Sequence, residues 1–177
     1  MTVEFIANIG SDNSIILDLL SDSITGEYEN TGVTMTFTMM RRVARNGSMS
    51  AGSASLTASG NFVVGDVGKS IMVPGAGAGG SDLRTTIAAF VSATNVTLTD
   101  AATLSVSRAA IEVSITGAEA IAMTYVAESD GKYMGTLDEG VKLKNGEPLW
   151  LEITTDAGDD KKDFRRLEGI AKYRTKT

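Results

Sequence analysis

The chain has 177 residues, which is enough for one ordinary domain or two small ones. Hydrophobic residues make up 42% of the sequence and charged residues 21%, and these proportions exclude a wholly disordered chain. The formal net charge of −6 argues against a nucleic-acid-binding role for the molecule as a whole.

Two reactive residue types are missing from the sequence. The lack of cysteine excludes disulfides, thiolate metal sites and thiol nucleophiles. The lack of histidine removes the commonest general base and the commonest metal ligand, and with them every Ser-His-Asp or Cys-His arrangement. We therefore predict a protein that is not an enzyme, with no catalytic residue, no cofactor and no metal site.

The N-terminus and the hydropathy pattern bear on location. The first residues have no basic region and no long apolar run, so they do not predict a signal peptide. No segment approaches the ~20 consecutive apolar residues that a membrane-spanning helix needs. We expect no membrane partner and synthesis in a cytoplasm.

The first 45 residues predict β structure. Residues 14–20 are apolar enough for a strand or a short helix, and residues 22–26 predict a turn. The clearest strand covers residues 33–39, where large apolar residues alternate with threonines, as is typical of a half-buried strand. The pair Asn46-Gly47 that follows is a strong turn signal.

The composition changes between residues 46 and 107. This segment consists mainly of Gly, Ala, Ser, Thr and Val, and its few charged residues are Asp66, Lys69, Asp82, Arg84 and Asp100. Short strands are predicted at residues 54–57, 69–73, 83–91, 95–99 and 105–107. Such short strands, separated by turns, favour a small closed or semi-closed barrel.

Alternation of apolar and polar residues resumes at residue 108. Strands are predicted at residues 111–115, 123–126, 132–137, 149–153 and 167–174, with polar turns between them, as in an antiparallel sandwich. We therefore predict an all-β chain of two modules. Residues 1–45 and 108–177 form a discontinuous immunoglobulin-like sandwich, and residues 46–107 form a small barrel-like module inserted into it.

Five residues are candidates for protein–protein contacts. Trp150 is predicted on the opposite face of its strand from Leu149 and Leu151, so either that strand is buried on both faces or Trp150 lies at an interface. The other candidates are the basic residues Lys161, Lys162, Arg165 and Arg166. The N-terminal region is acidic, and opposite charge at the two ends would help copies of the chain to meet. Because exposed charge pairs are weak, the preferred interpretation is two separate solvated faces.

Three apparent motifs for ligands or ions do not carry chemistry on their own. Gly75, Gly77 and Gly80 fit the dinucleotide fingerprint G-x-G-x-x-G, but β-branched residues follow them where a helix is required. The triplet GKS at residues 68–70 lacks the earlier glycine of a P-loop. The acidic segment 156–163 lacks the EF-hand alternation, which leaves either weak calcium binding or a solvated loop.

Two resemblances cover most of the chain. The motifs GSMSAGSASLT at 47–57, GDVGKSIMVPGAG at 65–77, LRTTI at 83–87 and VSATNVTL at 91–98 resemble a module of tailed-bacteriophage virion proteins, often found before the β-helix of tailspikes. No β-helix follows here, so the resemblance does not imply depolymerase activity. The motifs DSITGEYEN at 22–30, VTMTF at 33–37 and MTYVAESDGKYMGTL at 123–137 are similar to immunoglobulin-like modules of phage structural proteins, such as the N-terminal module of baseplate upper proteins.

The resemblances imply a non-enzymatic structural protein of the phage virion. Such a protein is an accessory component of capsid, neck, tail or baseplate, it contacts other virion proteins or its own copies, and it is made in the host bacterial cytoplasm. The alternative is a carbohydrate-binding or host-adhesion module of a tail fibre or spike. That alternative requires an exposed aromatic side chain such as Trp150 or Tyr133 to stack on a host glycan.

Overall fold

The structure is a computed structural model that describes residues 5–10, 12–17, 32–60, 62–158 and 162–173. These residues are organised as β-strands, and the helical segments among them are two single 3-10 turns, Val64–Asp66 and Ala78–Gly80. The prediction of an all-β chain is confirmed. The turn predicted at residues 22–26 lies outside the described residues.

The described part of the chain contains twelve strands. They are β1 (Phe5–Ile9), β2 (Asn13–Leu17), β3 (Thr34–Met49), β4 (Ser55–Thr57), β5 (Ser70–Val73), β6 (Leu83–Ser92), β7 (Asn95–Leu98), β8 (Val106–Ser114), β9 (Ile121–Tyr125), β10 (Tyr133–Leu137), β11 (Pro148–Asp156) and β12 (Lys162–Tyr173). Of the two alternatives for residues 14–20, the strand is observed as far as Leu17.

The chain divides into two compact units. The first comprises Met1–Met39 and Ile115–Thr177, and the second, continuous in sequence, comprises Met40–Ser114. The predicted insertion, residues 46–107, lies inside the second unit. The hydrophobic core clusters have no residue in common, and each lies within one unit.

The second unit is a closed barrel of six antiparallel strands. β3 pairs with β4, β4 with β7, β7 with β6, β6 with β5, β5 with β8, and β8 pairs with β3 again. Its buried core consists of Ala44, Met49, Leu56, Ala58, Phe62, Ile71, Val73, Ala76, Ile87, Val96, Leu98, Ala102, Ala109, Ile111 and Val113. The predicted barrel is therefore observed, and within the described residues its ring of strands has no unpaired member.

The turn predicted at Asn46-Gly47 is wrong. Both residues lie inside β3, at an irregularity where the register with β8 shifts between Ala44 and Gly47. A Cβ atom on Gly47 would lie 2.3 Å from Cδ1 of Ile111, so glycine is needed for close packing against the core. The Asn46 side chain accepts a hydrogen bond from the Ser59 backbone N–H, at 3.0 Å. A pair that commonly closes hairpins here serves a bulge in a continuous strand.

The first unit contains the remaining strands and the N-terminal part of β3. Their pairing order is β1-β12-β11-β3-β9-β10-β2. β1 pairs with β12 in parallel, whereas β11–β12, β3–β9, β9–β10 and β10–β2 are antiparallel. The buried core of this unit consists of Ala7, Ile15, Leu17, Met35, Phe37, Met39, Ile115, Ala118, Met123, Tyr133, Leu137, Val141, Leu149, Leu151, Ile153 and Ala171.

The motif Y-M-G-T-L at residues 133–137 is explained by this core. Tyr133 and Leu137 are buried on the inner face of β10, and Gly135 lies between them on the same face. A Cβ atom on Gly135 would lie 2.8 Å from Cε1 of Phe37 and 3.1 Å from the carbonyl oxygen of Ala122. Glycine at this position therefore leaves the space that the Phe37 ring occupies.

The two chain segments of the first unit meet where the second unit is inserted. The Ile115 N–H donates a hydrogen bond to the Met39 carbonyl oxygen, at 2.9 Å. Because these residues are neighbours in the strand ladder, a two-residue Asn-Gly turn can join them. We expect the chain in which this turn replaces residues 40–114 to fold, with dispersed amide NMR signals and a cooperative thermal transition. The same chain carrying Phe37→Ala is the control and should lose that cooperativity. A molten product from the first variant would show that the two units depend on one another.

Candidate interaction surface

The segment Phe62 to Lys69, which contains the sequence GDVGK, lies along the C-terminal half of β6. The Phe62 N–H donates to the Ala93 carbonyl oxygen at 3.1 Å, and the Gly68 N–H donates to the Ile87 carbonyl oxygen at 2.8 Å. The Ile87 N–H in turn donates to the Lys69 carbonyl oxygen at 3.0 Å. Phe62 is buried in the barrel core, so the segment is anchored at both ends.

A buried ion pair holds the middle of this segment. The Lys69 Nζ atom lies 2.7 Å from Oδ1 of Asp66, and both side chains are at least 90% buried. The other carboxylate oxygen, Oδ2, accepts a hydrogen bond from the Val63 N–H at 2.9 Å. Gly68 has a φ of 87°, a conformation that favours glycine. The Asp66 carboxylate thus closes a compact turn, and Lys69 is engaged inside it, unlike the lysine of a phosphate-binding loop.

Three valines on the outside of this turn are exposed. Val63, Val64 and Val67 have 54%, 69% and 45% of their surface accessible, and Val91 on the adjacent part of β6 has 61%. We call these four residues the valine surface. Exposed apolar residues on an anchored segment and the strand beside it mark a candidate site for protein contact. No sequence pattern singled them out, because each valine is equally compatible with a buried position in a short strand.

The glycine-rich loop packs on the barrel core through Ala76. The N–H groups of Thr103 and Leu104 both donate to the Ala76 carbonyl oxygen, at 2.8 and 3.3 Å, and Ala76 is fully buried. A Cβ atom on Gly77 would lie 2.9 Å from the carbonyl oxygens of Ser81 and Asp82. The loop leads through one 3-10 turn into β6, so the helix that a dinucleotide fingerprint requires does not follow it.

Trp150 lies on the outer face of the β11–β12 pair and is buried, with 3% of its surface exposed. Of the two alternatives for its strand, burial on both faces is observed. The Arg166 guanidinium carbon lies 5.4 Å from the centroid of the Trp150 ring, and Arg166 Nη1 donates to Oε1 of Glu152 at 2.9 Å. Arg166 therefore combines a cation–π contact with a charge-assisted hydrogen bond.

The basic candidates do not form one described patch. Arg165 is exposed and, by strand alternation, lies on the opposite face of β12 from Arg166. Lys161 lies outside the described residues. Lys162 is the first residue of β12, and the structure does not describe its side chain. The acidic segment 156–163 is likewise only partly described. The structure thus brings Trp150 and Arg166 together and separates Arg165 from them.

The aromatic residues expected to stack on a glycan are buried. Tyr133 has 2% of its surface exposed and packs against Tyr125 with ring centroids 5.7 Å apart. Trp150 is covered to a similar degree. Because stacking on a sugar ring requires an open aromatic face, neither residue can serve the host-adhesion alternative in this conformation.

Within the described ranges, no three His, Cys, Asp or Glu residues are grouped closely enough to hold a metal ion. None of the helical segments in the described part of the chain is long and apolar enough to cross a membrane. No protein-family model matches the chain, no curated protein matches it, and no solved structure matches it.

Proposed function

We propose that this chain is a non-enzymatic structural protein of a tailed-bacteriophage virion. In this proposal it acts through protein–protein contacts as an accessory component of the capsid, neck, tail or baseplate. The resemblance of its two sets of motifs to phage virion modules motivates the proposal. The geometry of residues 65–77 and the strand order of the first unit support the structural role in this proposal.

One observation carries the proposal: the residues of the motif GDVGKSIMVPGAG are used to build the barrel. Asp66 and Lys69 neutralise each other inside a turn, Gly68 adopts a left-handed conformation, and Ala76 is part of the buried core. A motif whose polar residues are consumed in folding supports a scaffold that presents surfaces to partners, in contrast to a motif that binds substrate.

The pairing order of the first unit supports an immunoglobulin-like sandwich for that unit. In such sandwiches three strands, C, F and G, make one sheet, and B, E and D belong to the other. The observed series β3-β11-β12 has the order C-F-G, and β2-β10-β9 has the order B-E-D. The pairing of β3 with β9 joins the two series, which is a departure from two separate sheets. On this assignment, the barrel is inserted between strands C and D, in place of a short connection.

The virion assignment is tested by locating the protein in particles. We expect an antibody raised against this chain to label purified virions in negative-stain electron microscopy, at a regular position with a fixed copy number. Peptides of the chain should also be found by mass spectrometry of particles purified by density gradient. A protein that is present in infected cells but absent from purified particles would overturn the proposal.

A further inference from the structure

The strand β1 lies at the end of the strand order of the first unit. Among the described residues it pairs with β12 and with no other strand. That pairing is regular along the whole of Phe5–Ile9, and the five residues include no charged residue and no proline. Natural proteins commonly protect an edge strand with a lysine, a proline or a bulge. The strand β1 therefore lacks the usual protection against pairing with another chain.

The Asn13 side chain binds both backbone polar groups of Asn8, in the middle of this edge. Its Oδ1 atom accepts a hydrogen bond from the Asn8 N–H at 2.7 Å, and its Nδ2 atom donates to the Asn8 carbonyl oxygen at 3.0 Å. A side-chain amide carries a donor and an acceptor side by side, as the backbone of a strand does. The two bonds thus reproduce those that a residue of a neighbouring strand would exchange with Asn8.

Asn13 is held firmly in this position. It is buried, with 7% of its surface exposed, and it pairs with Leu137 of β10 as the first residue of β2. The residue before it is also anchored, because Oδ1 of Asp12 accepts a hydrogen bond from the Glu139 N–H at 2.9 Å. A buried amide that left its hydrogen-bond partners would lose free energy. The contact with Asn8 is therefore a fixed part of the fold.

We propose that the Asn13 side chain blocks the edge of β1 and so prevents the β1 strand of a second copy of this chain from pairing with it. Two β1 strands can pair antiparallel about a two-fold axis without opposing like charges, because the strand carries no charge. By strand alternation, Ile6 directs its backbone groups to the same side as Asn8, so a partner strand needs both residues. An incoming strand must first displace the buried amide from Asn8. This inference concerns the first unit alone and does not depend on the proposed virion role.

The test compares Asn13→Ala with the natural sequence by sedimentation velocity over a range of concentrations. The substitution removes both bonds to Asn8, and we expect self-association to become stronger by about 10-fold or more. Hydrogen exchange locates the contact, because the amide protons of Ile6 and Asn8 should exchange more slowly as this variant associates. Ser14→Ala is the matched control, since Ser14 is the next residue of β2 and is exposed, and its association should equal that of the natural sequence.

A second arm separates an opened edge from a loss of stability. The double variant Asn13→Ala/Ile6→Lys should return to the association of the natural sequence, because lysine on an edge strand disfavours pairing. Gly135→Ala, which strains the core of the same unit, should not strengthen association. In the natural protein, which needs no variant to fold, the Asn8 amide should exchange more slowly than the Ile6 amide by about 10-fold or more.

Four results would each overturn the inference. They are an Asn13→Ala variant that associates no more than the natural sequence, association that persists in the double variant, equal association of Gly135→Ala, and an Asn8 amide that exchanges as fast as that of Ile6.

Discussion

Replacing Lys69 with methionine is expected to lower the free energy of unfolding of the barrel by about 3–5 kcal/mol. The substitution leaves the Asp66 carboxylate buried without the ammonium group that lies 2.7 Å from it. An uncompensated buried charge costs far more than an intact pair contributes, so the single substitution exaggerates the apparent strength of the pair. The double variant Asp66→Asn/Lys69→Met removes both charges, and its asparagine side chain can still accept the Val63 N–H. It should recover a large part of the loss.

Urea unfolding followed by far-UV circular dichroism measures this effect. Lys142→Met is the control, because Lys142 is exposed in the first unit, and it should change stability by less than ~0.5 kcal/mol. A double-mutant cycle then isolates the coupling between Asp66 and Lys69. If Lys69→Met costs less than about 1 kcal/mol, the ion pair does not hold the turn as the structure indicates.

Replacing Phe37 with alanine is expected to destabilise the first unit by about 3–5 kcal/mol. The Phe37 side chain has no exposed surface and belongs to the core of that unit. The sequence contains one tryptophan, Trp150, and it lies in this unit, so intrinsic fluorescence reports unfolding there. We expect the urea midpoint measured by fluorescence to fall steeply.

The packing of Gly135 against the Phe37 ring provides an internal check. Gly135→Ala should cost about 1–3 kcal/mol through overpacking, and less when Phe37 is leucine, because the ring atom nearest the new methyl group is then gone. Met134→Ala, on the exposed face of the same strand, is the control and should be nearly neutral. Equal costs for Gly135→Ala in both backgrounds would show that the backbone oxygen of Ala122 sets the limit, and that Phe37 does not.

Much of the strand content follows from local sequence. Alternation of apolar and polar residues predicted the C-terminal strands within a few residues, and the glycine-rich, charge-poor composition of residues 46–107 predicted a barrel of short strands. These signals are reliable because the two-residue period of a strand and the conformational needs of turns act on neighbouring residues. The prediction of a turn at Asn46-Gly47 was wrong because it used only this local preference. Its local preference was overridden by the close approach of Ile111, which is distant in sequence.

The residues that matter most for interactions were harder to infer. The segment 65–77 stands out in the sequence as a motif. Its ion pair between Asp66 and Lys69 depends on the tight turn between them, and residue spacing alone does not predict that turn. The exposure of Val63 and Val64 depends on the direction of one 3-10 turn. The burial of Trp150 depends on what covers the outer face of β11, and strand alternation only states which face it occupies.

The sequence by itself determined that this protein is built from β-strands, that it lacks histidine and cysteine chemistry, and that a charge-poor module interrupts a more charged one. Composition and two-residue periodicity carry that information locally. Only the tertiary structure decided that the charge-poor module closes into a six-stranded ring together with parts of β3 and β8, and that Asp66 and Lys69 pair with each other inside it. The tertiary structure alone also decided which valine side chains are exposed to solvent. Those outcomes depend on pairing between residues far apart in sequence, and packing in three dimensions selects that pairing.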